Sequence, residues 1–397
     1  MRGRASSLRR LRVFMRNNPH RDTLWVHASS MGEFEQAKPI IEALKQERPD
    51  LAIIASFFSP SGYENNLRYA FVDATVYIPF DTRRRARAFL DLMHPVAAVF
   101  IRYDVWPNHI GACIERNIPV MLANATLRAT SLRLLPGLRS FHRRMFDGMH
   151  SILTVSDEDA RNFRRFGLRN PHIAAVGDTR YDRVSSKAAE SRKRMPLPQH
   201  IRDGRHVAVF GSSWSEDEEV FLPAVQKLLQ VDTSFMCIIV PHEPTIEHLE
   251  FLEYRFGNST PTLRFSYIAS WKGERVIIVD SIGLLLPLYA SADVAFVGGG
   301  FRSNVHNTLE PAAYGIPVLF GPKIGNSQEA SELVIAGGGF IVYNKRDTYR
   351  HLRGLLRDGA WRNAAGKAAG EFVSTRAGST RTILETLRPL IDPENAH

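Results

Sequence analysis

Along the first half of the chain, apolar runs of strand length alternate with stretches whose apolar residues recur every three or four positions. Runs at Thr23–His27, Leu51–Phe57, Ala74–Ile78, Val96–Ile101, Pro119–Leu122 and Ser151–Val155 read as strands. Phe34, Ala37, Ile41 and Leu44 line one face of an intervening helix, with Pro39 predicting a bend in it. Near-continuous apolar strands separated by helices predict a parallel sheet covered on both faces. From Lys187 to Gly204 the pattern gives way to a polar, proline-bearing stretch that reads as an interdomain linker. It then restarts, with strands expected at His206–Phe210, Phe235–Val240, Arg275–Val279, Val294–Val297, Pro317–Phe320 and Phe340–Val342. Helices are expected at Asp217–Leu229 and Ser327–Ile335, and two or three more, without a strand, between Tyr349 and Leu390.

The expected organisation is a basic segment over residues 1–22, a Rossmann-like domain over 23–190, a second over 205–370, and a helix within 371–397 that crosses back onto the first. The fold class is α/β, with two doubly wound domains facing across a cleft. Open sheets of this kind bind ligands beyond the carboxyl ends of their strands.

Composition fits that picture: 44% of the 397 residues are hydrophobic and 23% charged, as in a folded globular chain. No stretch reaches the ~18 uninterrupted apolar residues of a membrane span, and no apolar core follows the basic start as a secretory signal requires. Cys113 and Cys237 both sit in apolar segments and read as buried free thiols. The net charge of +10 is concentrated in three places. Six arginines crowd residues 2–16, Arg83, Arg84, Arg85 and Arg87 follow, and Arg139, His142, Arg143 and Arg144 form the third cluster. Together they favour an anionic surface as partner. Aromatic residues are not interleaved with the arginines in the manner of a single-strand platform, so nucleic acid is not an expected partner.

Candidate chemistry sits on loops between strands and helices. HASSMGE, His27 to Glu33, follows the first strand, and small Ser29, Ser30 and Gly32 let substrate approach closely. Glu33 is a candidate general base there, although a helix-start acid also complements the macrodipole. GSSWSEDEE, Gly211 to Glu219, opens a helix that Ser213 or Ser215 can cap, and the free amides of such an end bind phosphate. Gly298–Gly300 end a strand and precede HNTLEPAAYGIPVLFGP, where Asn307 and Thr308 are candidates for a phosphate and Glu310 for a ribose hydroxyl. VPHEP, Val240 to Pro244, offers a kinked backbone and His242 to a flat base. Arg180, within VGDTRYDR, is a candidate for a carboxylate or phosphate, or else forms a surface salt bridge. No histidine or cysteine spacing makes a zinc site, and no cofactor is expected.

Taken in order, HASSMGE, FFSPSGYE, VGDTRYDR, GSSWSEDEE and the HNTLEPAAYGIPVLFGP string resemble the Kdo (3-deoxy-D-manno-octulosonic acid) transferases. The resemblance runs from about Trp25 to Gly370, and FFSPSGYE and DTRYDR are most similar to the Bacteroidetes branch. It implies a GT-B fold and metal-independent, inverting transfer of Kdo from CMP-Kdo to a lipid A precursor at the cytoplasmic face of the inner membrane. It further implies that Glu33 is the catalytic base. Ser212, Ser213, Pro241, His242, Gly299, Gly300, Asn307 and Glu310 would bind the donor, and Ser30, Gly32, Arg102 and Asp104 the acceptor. The chain departs from the family pattern at RYDVWPN, Arg102 to Asn108, where Arg102 and Asp104 stand for two acids of many relatives. The apolar anchor that often begins the relatives has only the basic stretch Met1–Arg16 in its place. Alternative readings are a sugar-nucleotide 2-epimerase of the same architecture, or a non-enzymatic basic protein that binds membrane or nucleic acid.

Overall fold

The computed structural model describes residues 2–193, 196–257, 260–325 and 327–392. The chain packs as two units, Met1–Arg183 with Arg376–His397, and Val184–Thr375.

In the first unit the apolar runs become β1 (Thr23–His27), β2 (Ala52–Phe57), β3 (Ala74–Tyr77), β4 (Ala97–Ile101), β5 (Val120–Ala125), β6 (Ser151–Thr154) and β7 (His172–Ala175). They pair in parallel in the order β3-β2-β1-β4-β5-β6-β7. Alternate side chains along each strand serve opposite faces. Trp25, Ile54, Phe100 and Leu122 fill one core, and Leu24, Val26, Ile53 and Val99 the other. Since β1 lies between β2 and β4, strand order reverses at β1, and the loops after β1 and β4 flank a topological switch point.

Two helices from the ends of the chain complete this unit. The basic segment forms a helix, Arg2–Asn17, that covers the edge strand β3. Leu11 is fully buried beneath it, and the Ser7 hydroxyl accepts the Tyr77 amide at 3.2 Å. Arg4 lies 4.8 Å from the Phe80 ring centroid and 5.1 Å from that of Tyr77, while Arg9, Arg12 and Arg16 stay exposed. At the other end, helix Ser379–Ile391 sends Ile383, Leu384, Leu387 and Ile391 into the core beside Leu24 and Val26.

The second unit contains β8 (His206–Ser213), β9 (Phe235–Pro241), β10 (Thr262–Arg264), β11 (Val276–Ile278), β12 (Val294–Val297), β13 (Val318–Phe320) and β14 (Gly339–Ile341). Their order is β10-β11-β9-β8-β12-β13-β14, again all parallel. The switch point lies between β8 and β12. Phe210, Ile239 and Phe296 pack on one face, Val209, Ile238 and Ala295 on the other. Three helices, Lys345–Arg357, Gly359–Ser374 and Ser379–Ile391, account for the strandless end of the sequence. Both cysteines are buried free thiols, and burial pushes that of Cys113 up to about 12.

Residues 187–204 do not form one linker. Helix Thr179–Ser191 runs through their start, and the division between units falls inside that helix, after Arg183. The boundary is thus carried by an ordered element whose Ala188 joins the core of the second unit. Residues 194 and 195 lie outside the described residues.

Candidate functional site

In the first unit, the loop after β1 carries Ser29 and Ser30 into helix Met31–Glu47, with Ser30 as N-cap. Glu33 is buried, 6% exposed, and closes a capping box. Its Oε2 accepts the Ser29 amide at 2.7 Å and the Ser30 amide at 3.2 Å, and the Ser30 hydroxyl accepts the Glu33 amide at 3.4 Å. The helix-start role that the sequence allows is therefore realised, through one carboxylate oxygen. Burial raises the Glu33 pKa, and the negative charge of Asp104 raises it further; the two amides and Arg102 work against this. Glycine at position 32 leaves the neighbouring space open, since a Cβ there would meet nothing within 4 Å.

The loop after β4 is the other side of this switch point and holds Arg102 and Asp104. Arg102 adopts a left-handed φ of 68°, and its buried Nε has no hydrogen-bond partner. Asp104 Oδ2 lies 3.9 Å from His27 Nε2. His27 is fully buried; desolvation lowers its pKa, with Asp104 opposing. The FFSPSGYE segment buttresses the loop after β1, because the Phe58 and Ser59 amides donate to the Ser29 carbonyl at 3.3 and 2.9 Å. The structure thus brings Ser30, Gly32, Glu33, Arg102 and Asp104 to one end of one sheet.

Beside these loops, Leu132, Leu135, Leu138 and Phe141 are all exposed, Leu132 to 69%. They recur at three-residue spacing through a short 3-10 turn, Leu132–Leu134, and helix Pro136–Asp147. Exposed Arg128, Arg139, Arg143 and Arg144 accompany them, while His142 is only partly exposed. Burial depresses the Arg133 guanidinium while Asp104 and Tyr103 draw it back up, which ties this segment to the β4 loop.

VGDTRYDR has an internal role. Asp182 accepts the Gly378 amide at 2.5 Å and the Thr380 amide at 2.8 Å, capping the last helix. Thr179 donates its hydroxyl to the Gln36 carbonyl at 2.7 Å, and Arg180 Nε donates to Asp178 at 2.8 Å.

In the second unit, the loops after β8, β9 and β12 meet. Helix Ser215–Val231 has Trp214 as its N-cap, so neither Ser213 nor Ser215 caps it. Ser213 is buried and donates its hydroxyl to Glu218 at 2.8 Å, and His248 Nε2 bonds the same carboxylate at 2.9 Å. Ser212 takes a left-handed φ of 53°. The glycine loop is filled from within: Asp217, fully buried, accepts the amides of Gly299 at 2.7 Å, Phe301 at 3.1 Å and Trp214 at 3.1 Å. Gly299 has φ 88°, and a Cβ there would sit 2.3 Å from the Asn304 carbonyl oxygen. Gly300 packs directly on Gly321, 2.6 Å from its nitrogen to a Cβ placed at 300.

Above this loop the rings of His242 and His306 stack at 4.6 Å and 10°, and Trp214 stacks on His242 at 4.5 Å and 29°. Trp214 Nε1 donates to His306 Nε2 at 2.9 Å, and the Arg302 guanidinium carbon lies 3.7 Å from the Trp214 centroid. The His242 amide donates to the Ser213 carbonyl at 2.9 Å, so Pro241 and His242 are held beside Ser212 and Ser213. Asn307 is exposed and folds its side chain onto the Leu309 amide at 3.1 Å. The helix that follows is a single turn, Leu309–Ala312, rather than a longer one starting at His306. Glu310 lines a cavity of about 430 Å³ with Lys187, Glu190, Ser191, Gly283, Leu285 and Leu286. Sequence reasoning missed Asp217, Trp214 and Arg302. The spacing Trp214–Asp217, an acid three residues after a cap, was the available signal for the first.

Among the described residues no three His, Cys, Asp or Glu side chains gather as a metal site, and no helix is long and apolar enough to cross a membrane.

The family model described as 3-Deoxy-D-manno-octulosonic-acid transferase (kdotransferase) matches residues 6–183, the main segment of the first unit. Curated relatives described as 3-deoxy-D-manno-octulosonic acid transferase match across both units. That of Aquifex aeolicus is 29% identical, covering 84% of this chain and 86% of its own. That of Haemophilus influenzae is 26% identical, covering 93% and 87%. Among solved structures, UDP-GlcNAc 2-epimerase from Neisseria meningitidis is similar with a TM-score of 0.61 at 15% identity, covering 92% of this chain and 99% of that one. MurG from Acinetobacter baumannii is similar with a TM-score of 0.58 at 11% identity, covering 92% and 99%. These two likenesses establish a GT-B-like fold.

Proposed function

The chain belongs to the Kdo transferase family, and on that footing we propose that it transfers Kdo from CMP-Kdo to a lipid A precursor in lipopolysaccharide synthesis. Glu33 acts as general base. Its carboxylate takes the proton of the acceptor sugar hydroxyl while that oxygen forms a bond to the anomeric carbon of Kdo. The bond from that carbon to the phosphate oxygen breaks, its electron pair leaves with CMP, and the configuration inverts. The proton passes from Glu33 to solvent.

The observation that carries the reading is the buried Glu33 carboxylate at the β1–β4 switch point. One oxygen is engaged by the capping box and the other is left out of it. A raised pKa makes the group a stronger base at pH values where it is still ionised. Arg102, Asp104, Ser30 and Gly32 would contact the acceptor. The acceptor carries phosphate and acyl chains, and the unpartnered Arg102 Nε beside Glu33 suits the former.

In the second unit the donor would meet Ser212, Ser213, Pro241, His242, Asn307 and Glu310. Gly299 and Gly300 act by letting backbone and rings close up, because Asp217 already holds the Gly299 amide. The leaving phosphate must then find its hydrogen bonds and charge outside the glycine loop, and Arg302 and the histidine rings are its nearest candidates.

The exposed row Leu132, Leu135, Leu138 and Phe141, with its arginines, would rest on the anionic cytoplasmic leaflet of the inner membrane and present the acceptor to Glu33. The likeness to the epimerase is one of fold. The reading is tested by incubating the protein with CMP-Kdo and a lipid A precursor, and weighing the lipid by mass spectrometry. Whole Kdo units added to the lipid, with CMP released in equal number, are the expected products. An unmodified lipid, with UDP-N-acetylglucosamine epimerised in a parallel tube, would replace this reading with the epimerase.

A further inference from the structure

We infer that Trp214 is a positioning residue for the donor phosphate, acting by fixing His306 as a neutral imidazole that donates from Nδ1. The inference rests on the donor-binding reading of the second unit.

An indole N–H donates and never accepts. Since Trp214 Nε1 lies 2.9 Å from His306 Nε2, that nitrogen must carry its lone pair and the ring proton must be on Nδ1. The surroundings hold the ring neutral in the same sense: burial, His242 and Arg302 all lower the His306 pKa. The ring is also fixed in place. The His306 amide donates to the Gly298 carbonyl at 3.0 Å, and His242 stacks on the ring at 4.6 Å. A Cβ at position 299 would come within 2.9 Å of His306 Cδ2, so glycine there lets the ring lie against the loop.

The need for such a donor follows from Asp217. In a loop of this shape the backbone amides would ordinarily receive a phosphate. Here the amides of Gly299 and Phe301 are taken by a buried carboxylate, whose charge would repel one. A side-chain N–H locked beside the loop, with the Arg302 guanidinium on the same indole, replaces them. The Trp214 ring therefore links a tautomer lock and a cation through one side chain.

The test uses the whole chain and CMP as the probe. Long-range proton–nitrogen NMR of wild type should show His306 protonated at Nδ1, and W214F, which keeps an aromatic ring but loses the N–H, should show a mixture with the Nε2 form. CMP affinity measured by calorimetry should fall in W214F by the factor by which the Nδ1-protonated population falls. His306→Asn, whose amide nitrogen falls near Nδ1, should retain more affinity than His306→Gln, whose amide falls near Nε2. An unchanged His306 tautomer in W214F, or equal CMP affinity in wild type and W214F, overturns the inference. Failure of wild type to bind CMP at all would instead overturn the donor-binding reading.

Discussion

Asp217 Oδ2 accepts the Gly299 amide at 2.7 Å, joining two loops that are 82 residues apart in sequence. The carboxylate is fully buried and takes three amides in all, so it cements the carboxyl ends of β8 and β12. Desolvation raises its pKa and the three amides oppose this. Asp217→Ala strands these amides, each costing about 1–3 kcal/mol when buried and unsatisfied. The expected outcome is a second unit that melts well below wild type in calorimetry. A melting point within a degree or two of wild type would show the loops are held by other means.

Gly299→Ala should be as damaging, for a different reason. It combines φ 88° with a Cβ 2.3 Å from a backbone oxygen that has no rotamer to escape by. Left-handed strain alone costs about 1–2 kcal/mol for a residue with a Cβ, and the clash adds to it. Thermal unfolding and CMP binding should both deteriorate, whereas Gly32→Ala, with open space around it, should leave the fold intact.

The pH dependence of transfer follows from the raised Glu33 pKa. A base works only when ionised, so turnover should rise with pH through the folded pKa of Glu33. That limb should lie above the ordinary glutamate value of about 4.3. Replacing Asp104 with Asn removes the negative neighbour that helps hold the pKa up, so the limb should move toward lower pH. A limb that stays in place in Asp104→Asn would remove Asp104 from the base's surroundings.

His248 and Glu218 give a stability signature of the opposite sense. The hydrogen bond to buried Glu218 is the main cause of a raised His248 pKa, with burial opposing. Stability from this pair is fully present below the unfolded histidine value of about 6.5 and is lost as pH rises through the higher folded value. In His248→Gln, whose amide can still donate to Glu218 but carries no charge, the second unit should be destabilised near pH 6 and by less at high pH. Denaturant melts of both proteins at pH 6 and pH 9 measure the difference.

Membrane apposition through the exposed leucines should be separable from donor binding. Leu135→Glu with Leu138→Glu places two acids among Arg139, Arg143 and Arg144 on an exposed surface. Co-sedimentation with anionic vesicles should fall at least tenfold, with CMP affinity unchanged. Vesicle binding equal to wild type would move the membrane face elsewhere on the chain.

The alternation of apolar runs and helical spacing was enough to read twelve of the fourteen strands among the described residues, because strands buried on both faces are near-continuous apolar segments. The two that were not read, β7 (His172–Ala175) and β10 (Thr262–Arg264), are edge strands of four and three residues with partly exposed side chains. β10 has one apolar residue, and β7 only the short, small-residue run Ile173–Val176, so neither stands out from its surroundings. Glu33 and the serine, histidine and glycine positions were legible because they sit where a strand pattern turns into a helix pattern. The partners that define them were not, since Asp217 meets Gly299 and Trp214 meets His306 only through sheet order. VGDTRYDR stood out in sequence for a structural reason, as Asp182 reaches the last helix at Thr380.

Turnover of Glu33→Gln decides whether Glu33 is the base. Glutamine at this helix position preserves the capping box with Ser30, so the fold should stay within a few degrees of the wild-type melting point. It accepts no proton, and loss of a general base costs about 10²–10⁴-fold. The expected variant is folded, binds CMP as wild type does and transfers Kdo slower by that factor. A folded Glu33→Gln protein that transfers Kdo at the wild-type rate would exclude Glu33 as the base.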